Sequence, residues 1–309
     1  MIRRLFSAFL LLLAITAANG APAEPRVVVS IKPVHSLVAG VMEGVGTPLL
    51  LLDGAASPHI SSLRPSQARS IESAQIVFWI GADLELFLAR PLRTLGSGSV
   101  AVALVDAPGV SRLANRHAGV LGATNEEKPG VHDHGSGKDP HVWLDPDNAI
   151  AMTLAIRDTL ITADPENARQ YSENAKLLSR RLAGLSEALK IRLMPFADRK
   201  FVVFHDAFQY FERHFGLASA GTLTLNPELS PGARRLDEIR DTISELEAVC
   251  IFSEPQFAPK TVSMIASEMK IRWGVLDPLG SDIPPGQELY FSLLTELADS
   301  FEQCLGKEN

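Results

Sequence analysis

What most constrains the fold of this chain is a set of short, continuous apolar runs separated by amphipathic stretches. Residues 26–31 (RVVVSI), 48–52 (PLLLL), 76–80 (IVFWI) and 100–105 occupy the first half, and residues 200–204, 248–252 and 272–276 the second. A strand with one wet face alternates apolar and polar residues. Runs without that alternation fit strands buried on both faces, as in parallel sheets covered by helices. The intervening residues 34–42, 65–73 and 148–162, then 207–215, 236–246, 260–269 and a last stretch from about residue 287, carry helical character. The second half thus echoes the first, although no repeat is evident residue by residue.

The longest periodic segment, residues 165–194, lies between the halves. Leu178, Leu182, Leu185, Leu189 and Leu193 mark one apolar face at helical spacing. Asp164 is placed to cap its start and Pro165 to occupy the first helical position. A helix of about 30 residues spans about 45 Å, enough to bridge two domains. The chain therefore reads as α/β: two lobes, each a mainly parallel sheet flanked by helices, joined by one long backbone helix. The expected divisions are an N-terminal lobe over 24–164, a linker helix over 165–195 and a C-terminal lobe over 196–309. Within the first lobe, residues 113–138 lose all periodicity and hold several glycines, mixed charges and His117, His132 and His134, so a flexible surface loop is expected there.

Residues 1–23 carry Arg3 and Arg4, an apolar stretch over 5–18, and Ala21 and Ala23 in an A-x-A-like arrangement. This is the pattern of a signal peptide, and the apolar stretch falls short of the roughly 20 residues a membrane span needs. Cleavage after Ala23 takes the net charge from −7 to −9 by removing Arg3 and Arg4. No cysteine lies near that position to take a lipid, so a free periplasmic protein of a Gram-negative cell is expected. No later run reaches spanning length, and the acidic balance gives no support to nucleic-acid binding. The chain's two cysteines, Cys250 and Cys304, are expected to pair in an exported protein.

Three histidines occupy comparable places. His59 follows the run ending at Leu52 through a turn with Gly54 and Pro58, His141 lies in DPHVWLDP, and His205 ends FVVF. Asp277 ends WGVL just before Pro278. Ligands of open α/β sheets bind beyond the carboxyl ends of the strands, and three imidazoles with a carboxylate are a donor set zinc accepts. Taken singly, a histidine in such a place is more often a hydrogen-bonded turn residue than a ligand, and Asp277 is equally at home as a turn former. The intervals between them match no local zinc signature. His35 and His214, inside helical stretches, read as packing or hydrogen-bonding residues. Glu254, after a strand, can approach the cleft as a further ligand, while Asp145 and Asp147 read as turn or cap residues and Trp79, Trp143 and Trp273 as core or cleft wall.

Longer segments carry a resemblance. SPHISSLRPSQARSIESAQIVFWIGADLE, DPHVWLDPDNA, FVVFHDAFQYFERHFGL, LSPGARRLDEIRDTISELEAVCIFSEPQF and VLDPLG, in this order, resemble the zinc- and manganese-type solute-binding proteins of ABC uptake systems. The likeness covers essentially all of the chain after residue 23. It implies ligands at His59, His141 and His205 and a carboxylate at Asp277. Manganese-type members have glutamate where this chain has His205, so the resemblance implies Zn2+ as cargo, in keeping with the preference of zinc for imidazole. It further implies an inner-membrane ABC permease with its cytoplasmic ATPase as partners, and a monomeric binding protein that is not an enzyme. Two departures stand out: Ser57 where many members have an acidic residue, and a histidine loop reduced to His132, His134 and His117, a weak secondary metal site at most. The competing readings are a manganese or iron carrier of the same family and a zinc-dependent hydrolase.

Overall fold

The computed structural model describes residues 24–59, 62–96, 98–116, 137–224, 227 and 231–306. The segment read as a signal peptide, and His117, His132 and His134, lie outside them.

The apolar runs form two four-stranded, wholly parallel sheets. The first contains β1 (Val27–Val29), β2 (Leu49–Leu50), β3 (Ile76–Trp79) and β4 (Val100–Ala103), in the order β2-β1-β3-β4. The second contains β5 (Phe201–His205), β6 (Gly221–Thr224), β7 (Cys250–Ser253) and β8 (Arg272–Val275), in the order β6-β5-β7-β8. Both sheets thus share one winding. The inner strands β1, β5 and β7 are buried throughout, as their unbroken apolar runs require.

Helices α1 (Lys32–Val41), α2 (Pro65–Ser73) and α3 (Leu86–Thr94) connect the first sheet. Helices α4 (Pro146–Ala163) and α5 (Ala168–Leu193) lead to the second, which is served by α6 (Gln209–Phe215), α7 (Ala233–Glu245), α8 (Lys260–Met269) and α9 (Leu289–Leu305). Two elements escaped the pattern reading. Helix α3 carries Pro91 in its interior and a solvent-facing Leu86, which blur its period. Strand β6 (GTLT) is buried but built of glycine and threonine, too polar to register as an apolar run.

The bridging helix forms with Leu178, Leu182, Leu189 and Leu193 buried, Leu185 packed at the margin of the core, and an observed length of 26 residues, or about 39 Å. Its start differs from the expected cap. Residues Pro165–Asn167 form a 3-10 turn, and the Asp164 carboxylate accepts from the Asn167 amide (2.7 Å) and the Tyr171 hydroxyl (2.8 Å) instead of from a backbone N–H.

One continuous core joins the lobes. Val29, Phe78 and Trp143 belong to the same buried cluster as Phe201, Phe252 and Phe301. Polar contacts reinforce it. Lys32 Nζ donates to Ser281 O (2.8 Å), the Ser36 hydroxyl to Gln287 O (3.0 Å), the Trp143 indole to Pro278 O (2.8 Å), and the Tyr290 hydroxyl to Trp143 O (2.6 Å). Cys250 at the start of β7 and Cys304 in α9 are joined as a disulfide, with Cα atoms 5.9 Å apart, the pairing expected from the sequence.

Candidate metal centre

Each of the three histidines is delivered by a different device. His205 is the last residue of β5, fully inside a buried strand, so its side chain emerges at the carboxyl edge of the second sheet. His141 opens a short 3-10 turn, Val142–Leu144. That turn is pinned by Asn148 Nδ2, which donates to Val142 O (3.1 Å). Asp145 caps α4 through the Asp147 N–H (2.8 Å), with Pro146 in the first turn. His59 stands on the loop after β2, beyond a turn in which Gly54 adopts φ +69°, a left-handed conformation suited to glycine.

His205 meets the other two rings edge to face and His59 and His141 are tilted to each other, with centroids 5.2–5.7 Å apart. One nitrogen of each lies within 4.8 Å of the others. His141 Nε2 and His205 Nε2 are 3.4 Å apart. Two nitrogens bound tetrahedrally to one zinc at ~2.0–2.1 Å stand about 3.3 Å from each other, so this pair is already spaced for a shared ion.

Buried carboxylates decide which nitrogen faces the centre. Asp139 Oδ1 lies 2.7 Å from His141 Nδ1, and Glu254 Oε1 lies 2.6 Å from His205 Nδ1. A carboxylate only accepts, so each Nδ1 carries a proton, and in the neutral ring Nε2 presents a lone pair inward. Asp139 Oδ1 also accepts from the His141 N–H (2.9 Å), closing a tight local turn. Behind this shell, Arg116 crosses to the second lobe and pairs with Asp206, beside His205, and with Glu212 (2.7 Å).

Electrostatics separate the three imidazoles. Burial, then the charges of His141 and His205, push His59 down to about 3. Burial, then His205, holds His141 well below the ordinary range. Burial also lowers His205, but the Glu254 charge and hydrogen bond, with Asp206 and Asp139, outweigh it and raise this group above 6.5. Without metal, a proton held by His205 can bridge the two facing Nε2 atoms.

The histidines, with Ser57, Trp143, Gln256, Phe257 and Leu279 among the lining residues, surround a cavity of about 10 Å³. That is room for one ion or one water. Asp277 contributes no atom to the converging group. Its Oδ1 accepts from Gln256 Nε2 (2.8 Å) and the Leu279 N–H (3.0 Å), and its Oδ2 from the Ser281 N–H.

The other candidates sit where hydrogen bonding explains them. His35 Nε2 is 3.0 Å from Pro48 O, and His214 bridges Asp145 (2.9 Å) and Ser186 (2.6 Å). Asp145, Asp147 and His214 form a second, more exposed group with donor atoms close together. Glu254, weighed as a ligand, contributes no atom to the converging group and lies instead against His205 Nδ1. Asp139 went unread, although its place two residues before His141 in DPH was the available signal.

A family model described as ZnuA, the periplasmic component A of a zinc-uptake complex, matches residues 27–304. The chain belongs to this family. It is 42% identical to the high-affinity zinc uptake system protein ZnuA of Brucella suis, over 98% of both chains. It is 36% identical to the protein of the same name from Yersinia pestis, over 92% of both. A solved structure described as a ZnuA deletion mutant with zinc bound is similar at a TM-score of 0.76 and 25% identity, over 93% of this chain and 100% of that one. The family's two-lobed structures agree with the lobe architecture read from the apolar runs.

Proposed function

We propose that this chain is a high-affinity periplasmic zinc-binding protein that passes its ion to an ABC permease driven by a cytoplasmic ATPase, and that it turns over no substrate. The observation that carries the reading is the convergence of one nitrogen each from His59, His141 and His205 on a cavity of ionic size, two of them fixed by buried carboxylates. An all-nitrogen set favours zinc over manganese, which prefers oxygen. A cavity of about 10 Å³ takes an ion but not an ester or peptide, which speaks against a hydrolase. In this reading residues 1–23 are the export signal, the mature chain acts as a monomer, and His117, His132 and His134 capture further metal only weakly.

Protein purified without chelator should contain about one zinc, and in competition zinc should displace manganese and iron(II). Preferential retention of manganese would redirect the assignment. The same titration has a defined pH dependence. His59 and His141 are neutral across the physiological range and offer no proton to displace, whereas His205 holds its proton to above 6.5. Below the His205 value, each zinc bound must release one proton, so affinity should fall about tenfold per pH unit. A flat profile between about pH 8 and pH 5 would contradict the arrangement.

The packing also limits motion. Bending α5 would break backbone hydrogen bonds, and parting the lobes would split the shared core and the bonds of Lys32, Ser36 and Trp143. Small-angle scattering should therefore give nearly equal radii of gyration with and without zinc. A clear compaction on adding zinc would show a hinge that this packing does not allow.

A further inference from the structure

We propose that Gln256 is a positioning residue of the metal centre: its side-chain carbonyl accepts a hydrogen bond from the water that completes zinc coordination, and Asp277 serves the site by holding that amide. This rests on the zinc reading above and adds how the fourth position is filled.

The orientation of the amide follows from its partners. Gln256 Nε2 lies 2.8 Å from Asp277 Oδ1 and 2.9 Å from Ser281 Oγ. A carboxylate cannot donate, so the group facing Asp277 must be the NH2, and the carbonyl oxygen is turned away from it. That oxygen, Oε1, is buried and has no hydrogen-bond partner among the described residues, although Gln256 lines the histidine cavity. A buried carbonyl left unpaired is costly and rare, and at a functional site it points to a missing partner.

The centre supplies that partner. Three imidazoles leave one of the four positions of tetrahedral zinc open, and the cavity they line is lined by Gln256 and Glu254 as well. A zinc-bound water has two hydrogens to donate. Two orphaned oxygens belong to residues lining the cavity, Gln256 Oε1 and Glu254 Oε2, the latter left over after Glu254 Oε1 takes the His205 Nδ1 proton. Asp277 is poorly placed to compete for the metal. Both of its oxygens are committed to a turn through Leu279 and Ser281, and ligation would break that turn and release Gln256 together.

The test uses the mature chain loaded with zinc. Its crystal structure should show a non-protein oxygen on the metal within hydrogen-bond reach of Gln256 Oε1, with Asp277 off the metal. A zinc bond to Asp277 or to Gln256 itself would overturn the proposal. Gln256→Met, which keeps the length and removes the acceptor, should weaken zinc binding by about 10- to 100-fold, the range for outer-shell partners of metal ligands. With cobalt(II) in place of zinc, its visible spectrum should shift. Wild-type affinity and an unaltered cobalt spectrum would refute the role of Gln256. Since Asp277 acts through Gln256, Asp277→Ala should add less than about threefold on top of Gln256→Met, and fully additive losses would overturn that dependence. The His205→Ala variant separates the two readings. If it loses zinc while Gln256→Met does not, the metal site stands and only this inference fails.

Discussion

Replacing His205 by alanine is expected to lower zinc affinity by more than about a hundredfold, beyond the 10- to 100-fold typical of losing an outer-shell partner alone. The substitution removes one of three converging nitrogens and leaves the space of the ring unfilled. It also takes from Glu254, a buried carboxylate, the ring partner of Oε1 at 2.6 Å and leaves that oxygen only the backbone N–H of residue 205 at 3.3 Å. A buried carboxylate that loses its shortest hydrogen bond costs folding free energy, so the metal-free variant should also be somewhat less stable. Isothermal titration with a competing chelator reads the first effect, and thermal unfolding without metal reads the second. Unchanged zinc affinity in a folded His205→Ala protein would sink the site assignment altogether.

The second large effect concerns the disulfide. Cys250 starts a fully buried inner strand of the second sheet, and Cys304 lies near the end of the last helix, so their bond closes a 54-residue separation. In the chain-entropy model such a cross-link stabilises the fold by about 4 kcal/mol, less any native strain. Helix α9 also packs against α1 and α5, so loosening its end disturbs the contact between the lobes as well as the second lobe. Replacing both cysteines by alanine should lower the melting temperature by about 10 °C, given a shift of ~2–4 °C per kcal/mol for a chain of this size. Zinc affinity should change little, because neither sulfur approaches the histidines that line the cavity. A loss under about 1 kcal/mol would show that the native core already restrains α9 without the bond.

Much of the architecture was legible because burial on both faces leaves a mark that needs no partner to be seen. The runs at 76–80 and 200–204 became β3 and β5, and the stretches at 65–73 and 260–269 became α2 and α8 at the same residues. The leucine spacing of α5 was visible for the same reason: a helix buries one face, and 3.6 residues per turn repeats it along the chain. His205 could be placed at the end of an apolar run and His59 a turn beyond one, where a parallel sheet opens toward ligands, whereas His141 was marked by the segment DPHVWLDP.

Other features depend on which segments the fold brings side by side. Glu254 reaches His205 because β5 and β7 are neighbours, 49 residues apart in the chain, and nothing local in SEPQF marks that meeting. Asp139 was nearer at hand, two residues from His141, yet only the folded turn shows one oxygen serving both the N–H and the ring of the same histidine. The hydrogen bonds of Asp277 come from Leu279 and Ser281, whose backbone N–H groups converge on its carboxylate, and from Gln256 arriving from the loop after β7. By itself the sequence determined the two parallel sheets, the helix between them and the imidazoles available to a metal, since hydrophobic period and residue type are properties of a linear chain. The tertiary structure alone decided which nitrogens His141 and His205 present, which carboxylates support them and how small the cavity is, because these depend on distances of a few ångströms that only the folded chain sets.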